Sequence, residues 1–182
     1  MKFVGYFLCC LLLVACVRKN PQIPANKQEE QPSDTQQLLE YNRACYQAEL
    51  DEIQAFLDSS SHSYKATEEG IWYCLLTAGE GPNLAIGQAV SLACQVELLD
   101  GTICEASTPA NPMKLVIGKR DWLQGIDFLL PYLQNKSEAL VIIPSHAAYG
   151  IRGKAPCITA RTPILCRIKI LATHEKDTSL AH

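Results

Sequence analysis

Val141-Ile142-Ile143-Pro144-Ser145-His146-Ala147-Ala148-Tyr149-Gly150 is the stretch from which the rest of the chain is read. Three consecutive β-branched residues predict a buried strand, because branched side chains fit a covered, pleated surface. Pro144 has no N–H to give to a ladder and ends that strand, while Gly150 supplies the backbone freedom a turn needs. Tyr149 is thereby delivered to a strand exit. An apolar run closed by Pro and Gly recurs in many β proteins, so the specific signal is the order and spacing of the whole decapeptide.

Working outward, further anchors follow one another along the chain. Gly79-Glu80-Gly81 followed by Gly87-Gln88-Ala89-Val90 is a glycine-punctuated entry into a strand. Leu99-Asp100-Gly101-Thr102 reads as a tight turn. Met113-Lys114-Leu115-Val116-Ile117-Gly118-Lys119 precedes Trp122-Leu123-Gln124-Gly125-Ile126-Asp127, where a short helix is expected. Thr162-Pro163-Ile164-Leu165-Cys166-Arg167-Ile168-Lys169-Ile170-Leu171 reads as a closing strand. Together with the decapeptide, these segments resemble the FKBP-type peptidyl-prolyl isomerases from about Gly70 to Leu171. The resemblance implies an α+β fold, a twisted antiparallel sheet wrapped on a short helix.

The implied chemistry is noncovalent. Resonance opposes rotation about a peptide bond by ~18–20 kcal/mol, and the tertiary X-Pro amide has accessible cis and trans wells. A protein accelerates the exchange by favouring the twisted amide over the planar one, which a dry apolar pocket assists. By the resemblance, Tyr149 matches the hydroxyl that binds the substrate carbonyl, and Glu105 stands where the family usually has Asp; these two are the expected catalytic pair. Leu123 matches the residue whose backbone N–H meets the ligand, and Ile158 matches an apolar wall, with Trp122 and Cys157 as further lining. Proline-containing polypeptides are the implied partners, and no cofactor is called for.

Departures from the family pattern concentrate in the pocket. Cys94 stands where an aromatic is usual, Cys104 and Cys166 where Phe is usual, Met113 in place of a common Phe, and Ile126 in place of a large floor residue. An aromatic side chain buries ~150–250 Å², so its loss predicts a pocket that is wider, softer or filled from elsewhere, with Trp122 as the candidate filler. His146 and Lys154, in and after the Tyr149 loop, are expected to face solvent.

The chain has nine cysteines. Setting aside Cys9, Cys10 and Cys16 leaves Cys45, Cys74, Cys94, Cys104, Cys157 and Cys166. They read as small buried hydrophobes, as disulfides of an exported protein, or as a thiolate metal site; Cys94, Cys104 and Cys166 are expected on neighbouring strands facing one pocket. Six cysteines allow 15 complete pairings, among which spacing does not choose. No His-x-Glu or Cys-x-x-Cys pair suggests an orthodox zinc or thioredoxin-like site.

The N-terminus speaks to address. Lys2, an apolar run from Phe3 to Val14, and Leu13-Val14-Ala15-Cys16 have the shape of a signal peptide ending in a lipobox, with Cys16 the expected site of lipidation. Residues 1–15 are read as signal and 16–37 as a polar, Pro- and Gln-rich tether. Residues 38–63 are read as a helical segment with Leu39, Tyr46, Leu50, Ile53 and Leu57 on one stripe and Asp34 or Thr35 as cap. Residues 64–174 form the main domain and 175–182 a tail. The apolar stripe is read as packing on the main domain, as a homodimer seam, or as part of one enlarged core. This organisation implies a bacterial envelope protein tethered to a membrane.

A net charge of −3 with mixed signs gives no basic face and argues against nucleic acid as a partner. The expected activity is thus isomerisation or holding of X-Pro segments of exported proteins. Two rivals remain open: a noncatalytic peptide- or protein-binding module, and a thiol redox or metal protein on the same scaffold.

Overall fold

The computed structural model describes residues 33–174. By contact the chain divides into two units, 1–40 and 41–182. The signal, Cys16, most of the tether and the C-terminal tail lie outside the described residues.

Of the first unit, Ser33 and the opening turns of helix α1 (Asp34–Ser59) are described. Ser33 Oγ accepts the Gln36 N–H at 3.3 Å and Gln36 Oε1 accepts the Ser33 N–H at 2.9 Å. This reciprocal pair satisfies two donors at the helix start. The cap is therefore Ser33, not Asp34 or Thr35, and the helix begins before the expected boundary at residue 37.

In the second unit α1 continues from Tyr41. Its more covered positions are Asn42, Cys45, Glu49, Leu50, Ile53, Phe56 and Leu57, and Ile53 is 1% exposed. Tyr46 is 54% exposed, and Leu39, on the first-unit turns, is 62% exposed. The apolar period was right for Leu50, Ile53 and Leu57. The covered face is nevertheless turned toward Asn42 and Glu49, polar residues that an apolar count passes over.

After α1 come strands β1 (Lys65–Ala66), β2 (Trp72–Thr77), β3 (Glu80–Asn83), β4 (Ala89–Leu98), β5 (Ile103–Ala106) and β6 (Met113–Val116). Helix α2 (Gln124–Leu129) runs into a 3-10 turn, followed by β7 (Gln134–Asn135), β8 (Glu138–Ile143), a second 3-10 turn (Ser145–Ala147) and β9 (Ile164–His174). The main sheet is antiparallel in the order β1-β2-β8-β9-β4-β5, with β6 also on β4; β3 and β7 form a small second sheet. The expected α+β architecture is present.

Period-two patterning explains the core. Val90, Leu92, Cys94 and Val96 of β4, and Ile164, Cys166, Ile168 and Ile170 of β9, are all buried together with Ile126 and Leu129 of α2. Burying such an aliphatic side chain contributes ~1.5–3 kcal/mol. The short helix lies very close to β8, since a Cβ at Gly125 would overlap Ile143. Glycine there sets the helix–sheet spacing.

Candidate functional site

Tyr149 leaves the end of β8 through the 3-10 turn Ser145–Ala147, with Pro144 O accepting the Ala147 N–H at 3.0 Å. Gly150 follows at φ +62°, a left-handed conformation that disfavours a side chain. The Gly150 N–H returns to Ser145 O at 2.8 Å. A strand, a proline and a glycine thus turn the Tyr149 ring onto the core, where it packs half-buried.

Its hydroxyl donates to Glu105 Oε1, on β5 opposite Val96. Lys154 Nζ lies 2.5 Å from the other Glu105 oxygen and 5.4 Å from the Tyr149 ring centre. Lys154 is thus paired rather than free in solvent, which corrects the sequence expectation; His146 is exposed. Burial first, then the hydrogen bond and negative charge of Glu105, push the Tyr149 hydroxyl well above its ordinary pKa, with Trp122 opposing. The group is a neutral hydrogen-bond donor throughout the physiological range.

Of the other residues expected at the site, Cys94, Met113 and Trp122 line the cavity beside Glu105; the rest lie in or against the domain core on which Tyr149 packs. Cys94, Leu123, Ile126, Ile158 and Cys166 are buried in the same core, and Cys104, Met113, Trp122 and Cys157 pack against it. Leu123 stands at the N-terminus of α2. Cys94 faces Ile168 and Val96 faces Cys166 in the β4–β9 register, so the two cysteines are diagonal neighbours on one face. Burial, then the adjacent Cys94 thiol, raise the Cys166 pKa. Such a thiol is a small core hydrophobe rather than a nucleophile.

Cys104 does not join Cys94 and Cys166. It forms a disulfide with Cys157, with Cα atoms 5.6 Å apart, while Cys45, Cys74, Cys94 and Cys166 are free. The bond ties β5, one residue before Glu105, to the loop one residue before Ile158. Among the described residues no three His, Cys, Asp or Glu side chains converge as a metal site.

The cavity at this place, lined by Cys94, Val96, Glu105, Met113 and Trp122 among others, holds about 60 Å³. Ordinary small-molecule sites hold ~300–1,000 Å³. Trp122 is one of the cavity's walls. A larger hollow of about 490 Å³ lies elsewhere, lined by Ile86, Ile117, Arg120, Asp127, Phe128 and Tyr132 among others; none of the expected site residues reaches it.

Comparison with known proteins agrees with this geometry. Residues 81–171 match the family model described as FKBP-type peptidyl-prolyl cis-trans isomerase. FK506-binding protein 3 of Yarrowia lipolytica is 27% identical over 95 residues, covering 52% of this chain and 23% of that protein. The probable FKBP-type isomerase FkpA of Neisseria meningitidis is 25% identical over 140 residues, covering 73% of this chain and 49% of that protein. The chain thus matches half or less of the length of these relatives. A crystal structure of a peptidyl-prolyl cis-trans isomerase from Pseudomonas syringae superposes with a TM-score of 0.63 at 25% identity, over 73% of this chain and 96% of that one. With the family model matched over half of the chain and the fold shared with a solved isomerase, the chain belongs to the FKBP-type peptidyl-prolyl cis-trans isomerase family.

Proposed function

We propose that this protein isomerises X-Pro bonds of exported polypeptides through a pocket of reduced capacity. The observation that carries the reading is the Tyr149 hydroxyl, held neutral at the mouth of an apolar core beside Glu105. If it turns from Glu105, the hydroxyl can give its one proton to a substrate carbonyl as the amide twists, while the surrounding apolar wall disfavours the charge separation of the planar state. Isomerisation needs no proton abstraction, so a tyrosine that does not ionise suits the task. The small cavity supports attenuation, because a proline ring enters only if Trp122 or Met113 gives way.

The test is a proline-isomerisation assay across peptides differing in the residue before proline. Acceleration well above the spontaneous rate supports the reading. Binding of the same peptides without acceleration would favour the second reading, a noncatalytic binding module, to which the small, disulfide-braced pocket also lends support.

Envelope anchoring belongs to the same proposal and rests on Leu13-Val14-Ala15-Cys16. Cys16 carries the lipid and places the domain outside the cytoplasm at a membrane surface, with self-association through α1 as a further expectation. Mass spectrometry of the mature protein checks the anchor. An acylated Cys16 N-terminus is expected, and a different mature N-terminus without acyl mass would remove it.

A further inference from the structure

The covered face of α1 is polar where it meets the loop that carries Tyr149. Glu49 is 8% exposed, and its two oxygens accept the Ser145 N–H and, at 2.7 Å, the Ser145 hydroxyl. Ser145 O accepts from Gly150 N at 2.8 Å, and Gly150 O accepts from Arg161 N at 2.9 Å. The Arg161 guanidinium donates to Asn42 Oδ1 at 2.7 Å and lies over the Tyr41 ring at 5.6 Å. Asn42 and Glu49 stand two helical turns apart on one face of α1. The hydrogen bonds therefore close a circuit, from α1 through Ser145, Gly150 and Arg161 back to α1, with Tyr149 directly beside its central link.

A buried carboxylate is kept only where it is paired, because leaving it without partners in the interior is costly. A helix that merely covered the sheet would meet it with apolar side chains. Here it presents a carboxylate and an amide to the two ends of one loop. Within that loop, Lys154 and Ile158 exchange backbone hydrogen bonds at 2.7 and 2.9 Å, and Cys157 is bonded to β5. Both ends are held from α1, and the tip is held from the pocket side.

We propose that Glu49 and Asn42 are positioning residues for Tyr149, so that α1 is a structural part of the active site. The inference rests on the isomerase reading for its effect on turnover, but the clamp itself is testable without it. Glu49→Gln preserves both contacts, its oxygen accepting the Ser145 N–H and its amide donating to the Ser145 hydroxyl; Asn42→Asp keeps an acceptor for Arg161.

Hydrogen exchange and proline-peptide kinetics on the full chain test it, with Gln47→Ala on an exposed position of the same helix as control. For Glu49→Ala and Asn42→Ala, faster exchange is expected at the amides of 145–161, with β8 and β9 still protected. In the kinetics kcat falls, by roughly tenfold for Glu49→Ala, while KM changes little, since the wall that grips proline is intact. Glu49→Gln and Asn42→Asp restore both readouts. Unchanged loop exchange in folded Glu49→Ala would overturn the clamp, as would Glu49→Gln behaving like Glu49→Ala. Should Glu49→Ala unfold, Asn42→Ala decides by the same exchange readout. A wild-type chain without isomerase activity but with the expected exchange pattern defeats the functional reading and leaves the clamp standing; normal activity with unchanged exchange does the reverse.

Discussion

Two hollows in this molecule invert the usual relation between size and chemistry. The larger, about 490 Å³, has Ile86, Phe128 and Tyr132 on its walls, and its charged groups serve the local fold. Asp127 Oδ1 accepts the Gly118 N–H at 2.8 Å and Arg120 stacks over Phe128 at 5.9 Å. The smaller, about 60 Å³, adjoins a hydroxyl, a carboxylate, an ammonium and an indole that converge. Volume marks where the surface is concave. The family match, residues 81–171, takes in walls of both, so what separates the two is the convergence of polar groups on an apolar wall at the second.

The contrast is broken most forcefully at the disulfide. Removing the Cys104–Cys157 link, by a dithiol reductant or by Cys104→Ser with Cys157→Ser, frees a separation of 53 residues. Stability is expected to fall by on the order of 3 kcal/mol, read from denaturant midpoints with and without reductant. A midpoint that ignores reductant would mean that the bond does not brace the pocket.

A second blow falls on the same wall. Cys166 is 0% exposed, so Cys166→Phe is expected to overpack it and lower stability by ~1–3 kcal/mol. A stable variant with faster isomerisation would instead show that the pocket lacks only apolar surface.

The sequence was legible where local chemistry determines geometry. The decapeptide at 141–150 contained a strand, its stop and its turn, and Leu99-Asp100-Gly101-Thr102 formed the expected tight turn, with Gly101 at φ +90°. What stayed hidden depends on contacts remote in the chain. Nothing in the spacing marks Cys104 for Cys157 over Cys94 or Cys166, because the approach of the 150–161 loop to β5 decides which sulfurs meet. Glu49 carries no local mark of its role, because its partner Ser145 is 96 residues away. Lys154 shows no local sign of its pairing either, because Glu105 lies far off in the chain on β5.

Titration sharpens the comparison with a smaller effect. Because Tyr149 is raised above its ordinary value of 10, its neutral form is favoured by folding. The resulting stabilisation is fully present below pH ~10 and is lost as pH climbs past that value toward the folded pKa. Turnover should therefore show no loss from tyrosine ionisation up to about pH 10. A fall centred in the neutral range and absent in Tyr149→Phe would contradict this placement.

The weakest expected response comes from the large hollow. Ile86 is 74% exposed, and Ile86→Ala should change stability by less than about 0.5 kcal/mol and leave turnover as it was. Loss of isomerisation in that variant would move the active site away from Tyr149.

The account's central claim, that the family's chemistry resides at Tyr149, is tested most directly by cis–trans exchange of an X-Pro peptide followed by NMR with wild-type protein and with Tyr149→Phe. Acceleration by the wild type is expected, with a several-fold drop in Tyr149→Phe, since one neutral hydrogen bond is worth about 1 kcal/mol. Robust acceleration that is indifferent to the hydroxyl would contradict the claim.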